Sequence, residues 1–169
     1  MEIEPEDGLT GRPTCKFCGN QIVPARGPIN AEILLVGEFP GYNELVSGAP
    51  FVGPAGEILK VELARVGIQY GACRVANLWL HAPDKDELDY HVGELIKEMA
   101  GRKYVLFMGS ECAKLFDVDV SSAAGLRIKS PLIPTSVKVA MICPNPAIAM
   151  HDVVGELRLS LKKFAGVVK

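Results

Sequence analysis

The chain reads Ile-Leu-Leu-Val at residues 33–36, Gly-Glu-Phe-Pro-Gly at 37–41 and Phe-Val-Gly-Pro-Ala-Gly at 51–56. The first segment is short and apolar, as expected of a buried strand, and the other two are loops dense in glycine and proline. Such loops carry few side chains over their main chain, so their N–H groups can approach a ligand closely. Because the second loop precedes a helical pattern, it would present free N–H groups to an anion such as a phosphate. These segments predict a binding site built largely from backbone.

Strand and helix patterns alternate along the rest of the chain. Short apolar runs predict four strands, at residues 32–36, 74–80, 104–108 and 137–143. Helical patterns predict four helices, at residues 55–66, 86–99, 110–116 and 147–164. Nearly continuous apolar strands favour a parallel sheet that is covered on both faces. We therefore predict an α/β fold, a three-layer α/β/α sandwich around a short, mostly parallel four-stranded sheet, with Glu38 at the carboxyl end of its first strand, where such sheets place their chemistry.

Composition indicates one domain over residues 1–169. Hydrophobic residues make up 49% of the chain and charged residues 22%, which is enough for one core. The formal net charge of −2 provides no global basic field, so any nucleic-acid contact must be local. The acidic start and the lack of a long apolar run argue against a signal peptide or a membrane span. We expect a cytoplasmic monomer that makes no membrane contact.

The two Gly/Pro loops resemble the uracil-DNA glycosylase superfamily, most closely its iron–sulfur-containing branch, family four. Members of that branch read Gly-Glu-Ala-Pro-Gly, two residues, Glu, and shortly afterwards Pro-Phe-Val-Gly-Pro-Ala-Gly. In this chain Glu44 falls at the matching offset, and residues 50–56 match without a gap. Looser matches continue through Asn77, Gly109 and the Asn-Pro-Ala motif at 145–147. The resemblance covers nearly the whole chain.

The resemblance implies a monofunctional DNA glycosylase. It would hydrolyse the N-glycosidic bond of uracil, or of a related deaminated or 5-substituted pyrimidine, after the nucleotide is flipped out of the DNA. Glu38 would position a water molecule or stabilise the sugar cation, and Asn145 would stabilise the leaving base. The base-binding residues would be Phe39, Gly41, Phe51, which stacks on the base, and Asn77, which reads its edge. The DNA backbone would be held at Pro54, Ala55, Gly56, Gly109, Ser110, Pro146 and Ala147.

Departures from the family pattern affect the expected substrate. Most members have His-Pro where this chain has Asn145-Pro146, although the mismatch-specific branch also begins this motif with Asn-Pro. Phe39 replaces the usual Ala and adds bulk near the pocket floor, whereas Gly41 stands where uracil-specific enzymes carry a Tyr that excludes a 5-substituent. The pocket is therefore expected to admit a larger pyrimidine. The alternative is a catalytically weak or inactive glycosylase-fold protein that binds DNA, a nucleotide or a protein partner in a DNA repair, modification or replication assembly.

Residues 1–30 form an arm rich in Pro, Gly and polar residues, which needs something other than a core to order it. Within it, Cys15-Lys16-Phe17-Cys18-Gly19 is a knuckle in which two thiolates can face one ion. Following the resemblance onward, the third and fourth cluster cysteines of the family fall on or near His81 and His91. Two thiolates and two imidazoles suit tetrahedral zinc better than a cubane cluster. We predict zinc at Cys15, Cys18, His81 and His91, with an iron–sulfur centre using other cysteines, or no metal, as alternatives.

Overall fold

The computed structural model describes residues 12–151 and 154–168, and their centre is one parallel sheet. Its strands are β1 (Ile33–Gly37), β2 (Arg74–Asn77), β3 (Tyr104–Met108) and β4 (Val139–Cys143). They lie in the order β2-β1-β3-β4, and each neighbouring pair is parallel. The predicted four-stranded α/β sheet is confirmed, and its named strands are all parallel.

Helices connect and cover these strands. The α-helices are α1 (Tyr42–Ser47), α2 (Pro54–Arg65), α3 (Leu88–Met99), α4 (Ser110–Lys114), α5 (Val120–Ala123) and α6 (Val154–Val167). Short 3-10 helices cover Tyr70–Ala72, Lys85–Glu87 and Pro146–His151. None of the helices in the described ranges is long and apolar enough to cross a membrane.

The core has two layers, one on each face of the sheet. On one face, Leu35 of β1 packs in a cluster with apolar residues of α2 and α6. On the other face, Leu34 and Val36 pack in a cluster with apolar residues of α3 and α4. All three β1 side chains are fully buried, as expected of a strand covered on both faces. The three-layer arrangement predicted from the sequence is confirmed.

Two predicted elements differ from the structure by more than two residues at an end, whereas the bounds of the others agree within two residues. The strand predicted at 74–80 ends at Asn77, which pairs with Gly37, the last residue of β1. Beyond it, the N–H groups of Leu78 and Trp79 still donate to the carbonyls of Gly37 and Glu38, at 2.8 and 2.9 Å. The helix predicted at 147–164 begins as the 3-10 helix Pro146–His151, and an α-helix is present only from Val154. Residues 152–153 of that predicted helix lie outside the described residues.

Backbone and side-chain hydrogen bonds hold the described part of the N-terminal arm to the sheet. Arg26 forms an antiparallel bridge with Val75 of β2, and the N–H of Val23 donates to the Leu80 carbonyl at 2.7 Å. The buried Arg102 guanidinium donates to the carbonyl of Ile29 in the arm and, at 2.9 Å, to that of Ala31 just after it. Residues 1–11 of the predicted arm lie outside the described residues.

Candidate functional site

A cavity of about 310 Å³ opens at the carboxyl ends of the four strands. Each strand contributes a residue at or just after its end, namely Glu38, Asn77, Met108 and Asn145. The cavity is lined by all six predicted catalytic and base-binding residues, namely Glu38, Phe39, Gly41, Phe51, Asn77 and Asn145. Four of the predicted DNA-backbone residues also line it, namely Pro54, Ala55, Pro146 and Ala147. Residues predicted from separate motifs therefore meet in one cavity.

The Glu38 carboxylate and the Asn145 amide are in direct contact. Asn145 Nδ2 donates to Glu38 Oε1 at 2.5 Å, and the backbone N–H of Glu111 donates to Glu38 Oε2 at 3.0 Å. The Asn145 Oδ1 atom accepts from the N–H of Ala147 at 2.9 Å, which fixes which end of the amide faces Glu38. Both oxygens of the Glu38 carboxylate thus accept a hydrogen bond, and one N–H of the Asn145 amide donates one.

Gly109 allows the Glu38 carboxylate to lie where it does. Its φ of 102° is in the left-handed region, and a Cβ atom there would lie 2.1 Å from Glu38 Oε1. Glycine is the residue that meets both conditions without strain. Gly109 and the exposed Ser110 are absent from the cavity lining, so their predicted contact with DNA stays a prediction.

Phe51 has an unusual backbone, and two glycines make room for it. Its φ is 55°, which is rare for a bulky residue and is found mainly where the surroundings enforce it. A Cβ atom on Gly37 would lie 2.5 Å from the Phe51 ring and 2.5 Å from Asn77 Oδ1. A Cβ atom on Gly56 would lie 1.9 Å from the Phe51 carbonyl oxygen. The aromatic ring and the buried Asn77 amide therefore approach each other across Gly37.

Glu44 joins the two Gly/Pro loops. The N–H of Gly53, the residue before α2, lies 3.4 Å from Glu44 Oε1. A carboxylate is favourable there because a helix N-terminus carries partial positive charge. The position predicted to receive an anion thus already faces an anionic side chain. Tyr42, Asn43 and Glu44 also line the cavity; among them, the motif comparison pointed to Glu44 alone.

A second group of polar side chains lies between the arm and α3. One ligand-type atom from each of Cys15, Cys18, His81 and Glu87 lies within 4.8 Å of every other. Cys18 Sγ is 3.4 Å from His81 Nε2, and Cys15 Sγ is 3.6 Å from Glu87 Oε2. His91 Nε2 lies 3.2 Å from both His81 Nε2 and Glu87 Oε2. The structure brings the four predicted metal residues together and adds Glu87, which sequence reasoning missed.

A protein-family model described as the uracil DNA glycosylase superfamily matches residues 24–157. The chain belongs to this superfamily. The matched stretch contains the four strand ends that form the cavity, and it contains His81 and Glu87 but neither Cys15 nor Cys18.

Two similar curated proteins are each named a Type-4 uracil-DNA glycosylase. The one from Pyrobaculum aerophilum is 31% identical over 83 residues, which are 46% of this chain and 42% of the relative. The one from Archaeoglobus fulgidus is 43% identical over 70 residues, which are 38% of this chain and 35% of the relative. The aligned stretches span less than half the length of either relative.

The donor set does not fit the four-iron four-sulfur cluster that the resemblance to the iron–sulfur branch of the superfamily implies. Such a cluster is held by four cysteine thiolates. All five cysteines of the chain lie within the described residues, and only Cys15 and Cys18 belong to the group. Thiolate, imidazole and carboxylate donors are instead those with which proteins bind a single metal ion such as zinc.

Neighbouring charges shift the pKa values in this group. Burial raises the pKa of the Cys15 thiol, but hydrogen bonds from the Cys18 backbone and from His81 outweigh it, so the pKa is lowered. A hydrogen bond from the Asn20 backbone lowers the pKa of Cys18, but burial and the nearby Glu87 and Cys15 raise it to about 11. The surroundings therefore favour the thiolate of Cys15 and disfavour that of Cys18. A cation between them would favour both thiolates.

The three remaining cysteines, Cys73, Cys112 and Cys143, are buried thiols. Burial raises the pKa of Cys73 to about 11. Burial raises the pKa values of Cys112 and Cys143 as well. Thiols of this kind are inert because the reactive form is the thiolate.

Proposed function

We propose that this protein is a DNA glycosylase that hydrolyses the N-glycosidic bond of uracil, or of a related deaminated or 5-substituted pyrimidine, in DNA. The observation that carries the proposal is the contact between Glu38 and Asn145 in a cavity that Phe51 and Asn77 also line. It joins a carboxylate, an amide donor, an aromatic face and a base-reading amide in one place. Membership of the superfamily supports the same activity.

The base would bind between Phe51 and Asn77. A flipped base can stack on an aromatic ring and form hydrogen bonds along its Watson–Crick edge. Asn77 provides a donor and an acceptor for that edge, and its burial limits the movement of its side chain. The cavity of about 310 Å³ is at the lower end of the ligand-binding range, about 300–1,000 Å³, which suits a single base. Gly41 adds no side chain beyond the backbone, so a 5-substituent would be tolerated.

In the proposed reaction, water attacks C1′ of the deoxyribose while the bond from C1′ to the base nitrogen breaks. Glu38 positions the water and accepts its proton, and its negative charge stabilises the developing sugar cation. The base leaves with negative charge on its O2 atom. Asn145 has a second N–H besides the one that Glu38 accepts, and we assign it to that oxygen. Its donor is weaker than an imidazole, so the expected excision is slow.

The flanking DNA phosphates would lie at the cavity rim, at the start of α2 and beside residues 146–147. Because Glu44 faces the Gly53 N–H, the N–H groups of Ala55 and Gly56 are the ones left at the start of α2 for a phosphate. Because the formal net charge of −2 does not attract DNA, such local contacts must supply the affinity for it. We further propose that the protein acts as a monomer in the cytoplasm.

We also propose that the group around Cys15 and Cys18 binds zinc. The mixed donor set supports this choice, because zinc accepts thiolate, imidazole and carboxylate ligands in one tetrahedral site. The ion would tie the N-terminal arm to the segment that precedes α3. Its role would be structural, since the group is distinct from the cavity residues.

The test of the activity is a panel of single- and double-stranded oligonucleotides that carry uracil, 5-hydroxymethyluracil or hypoxanthine at one position. After incubation with the full chain, alkaline cleavage reveals abasic sites. We expect cleavage at uracil and at 5-hydroxymethyluracil, and none in a matched oligonucleotide with cytosine. No cleavage of any member, with binding of the same oligonucleotides retained, would support the alternative of a protein that only binds.

A further inference from the structure

Five polar side chains lie together between the N-terminal arm and α3, namely Cys15, Cys18, His81, Glu87 and His91. A tetrahedral metal ion binds only four ligands. We infer that Cys15, Cys18, His81 and the carboxylate of Glu87 are the ligands of one ion, and that His91 holds Glu87 from outside the coordination shell. This inference rests on the proposed zinc site, although not on excision activity. It assigns Glu87 as a ligand and makes His91 a positioning residue.

The spacing of the donors suits one ion and not a cluster. Ligands at zinc bond lengths in a tetrahedron lie about 3.3–3.8 Å apart, given roughly 2.0–2.3 Å from the metal. Cys18 Sγ lies 3.4 Å from His81 Nε2, and Cys15 Sγ lies 3.6 Å from Glu87 Oε2. His81 Nε2 and Glu87 Oε2 are closer, at the hydrogen-bond distance of 2.8 Å. Ligands of different irons in a cluster would be farther apart than these pairs.

The hydrogen bonds of His81 prepare it to bind a metal. Its Nδ1 lies 2.7 Å from the carbonyl oxygen of Ala82. Because a carbonyl only accepts, Nδ1 carries a proton, so in the neutral ring Nε2 keeps its lone pair. That lone pair points into the group, towards Cys18 and Glu87. A histidine that donates its other N–H to a carbonyl is the usual form of a metal ligand.

The hydrogen bonds of His91 have the opposite arrangement. Its Nδ1 accepts the backbone N–H of Leu80 at 3.3 Å, so the proton of the neutral ring is on Nε2. That Nε2 lies 3.2 Å from Glu87 Oε2 and donates to it. A nitrogen that carries a proton has no lone pair for a metal. The ring is fully buried and lies between Trp79 and Tyr90, with centroid distances of 5.1 and 5.3 Å.

Local structure places Glu87 and His91 together. Asp84 caps the 3-10 helix Lys85–Glu87 by accepting from the N–H of Asp86 at 3.1 Å, and α3 starts at the next residue, Leu88. Residues four apart lie on one face of a helix, so Glu87 and His91 both point towards the arm. The carboxylate is almost fully buried, and an unpaired buried carboxylate is costly. A metal ion together with His91 would satisfy it.

The direct test is X-ray absorption spectroscopy at the zinc edge of the natural full chain, together with a count of zinc, iron and acid-labile sulfide. Imidazole ligands produce characteristic multiple scattering, so the spectrum counts them. We expect one zinc per chain with two sulfur ligands and one imidazole. Two imidazoles would overturn the inference. Iron with labile sulfide, or no metal at all, would overturn both the inference and the proposed zinc site. Neither result bears on the proposed glycosylase activity, which the excision assay tests independently.

Variants distinguish the role of Glu87 as a metal ligand from the role of His91 as a positioning residue. In the cobalt(II)-loaded protein, His91→Gln should leave the visible absorption spectrum unchanged while lowering zinc affinity about 10–100-fold, as loss of an outer partner does. Glu87→Gln should change the spectrum and lower affinity further. Glu94→Gln, on the same helix, is the matched control and should change neither. A spectrum altered by His91→Gln and not by Glu87→Gln would contradict the assignment.

Discussion

The Asn145 side chain forms two hydrogen bonds in this structure. Its oxygen accepts the N–H of Ala147 and so caps the 3-10 helix, and its nitrogen donates to Glu38. An imidazole also has two ring nitrogens, one of which can accept while the other donates. A histidine at this position would therefore keep the local turn and provide a stronger donor.

We predict that Asn145→His raises uracil excision at least about tenfold. A preorganised donor to a developing oxyanion is typically worth about 10²–10³ in rate, so Asn145→Ala should lower excision by about that factor. Single-turnover rates on one uracil oligonucleotide measure both effects. Affinity for abasic DNA should stay nearly constant in the three proteins. A folded Asn145→His protein that excises no faster than the natural chain would contradict the role of Asn145.

The side chains that line the cavity were predictable, but some of their interactions were not. The short motifs pointed to Glu38, Asn77 and Asn145, which end or follow strands, and to Phe51, which lies in the loop before α2. The positive φ of Phe51 has no local signal, since it depends on the packing of Gly37 and Gly56 around it. Glu87 was missed because it is one of 20 acidic residues, and only its spacing from His91 distinguishes it.

Among the secondary-structure elements, those with a continuous apolar pattern were predictable. Strands β1, β3 and β4 are buried on both faces along nearly their whole length and are therefore almost continuously apolar. Helices α1 and α5, of six and four residues, are too short for apolar periodicity to mark them. Helix α1 has no buried residue and is held from the arm, where the Arg12 guanidinium donates to the Leu45 carbonyl at 2.6 Å.

The start of α2 and the middle of α3 offer a matched pair of glycines. A Cβ atom on Gly56 would clash with the backbone of Phe51, while one on Gly93 would meet nothing within 4 Å. Gly56→Ala should lower the free energy of unfolding by about 1–3 kcal/mol and weaken base binding, because Phe51 must move. Gly93→Ala should raise it by about 1 kcal/mol, since alanine favours the helix. Urea unfolding measures both changes. An unchanged free energy of unfolding for Gly56→Ala would contradict the close contact between Gly56 and the Phe51 backbone.

In the protein as a whole, the sheet brings distant residues to one edge, and that edge is where the chemistry is proposed. Glu38 and Asn145 are 107 positions apart in the chain, yet their side chains form a hydrogen bond. Four parallel strands ending together produce this proximity. The order of the strands could not be obtained from the apolar pattern, because that pattern is the same for every buried strand.

The most direct test of the proposed glycosylase is the release of free uracil by the natural chain and by Glu38→Gln, at enzyme in excess over a uracil oligonucleotide. The natural chain should release one uracil per oligonucleotide, detected by mass spectrometry. Glu38→Gln should lower the rate about 10²-fold or more, the usual contribution of a general base, while abasic-DNA affinity is retained. Glu57→Gln, an exposed carboxyl change on α2, should match the natural chain. Absence of free uracil with the natural, folded protein, or equal rates with Glu38→Gln, would contradict the account.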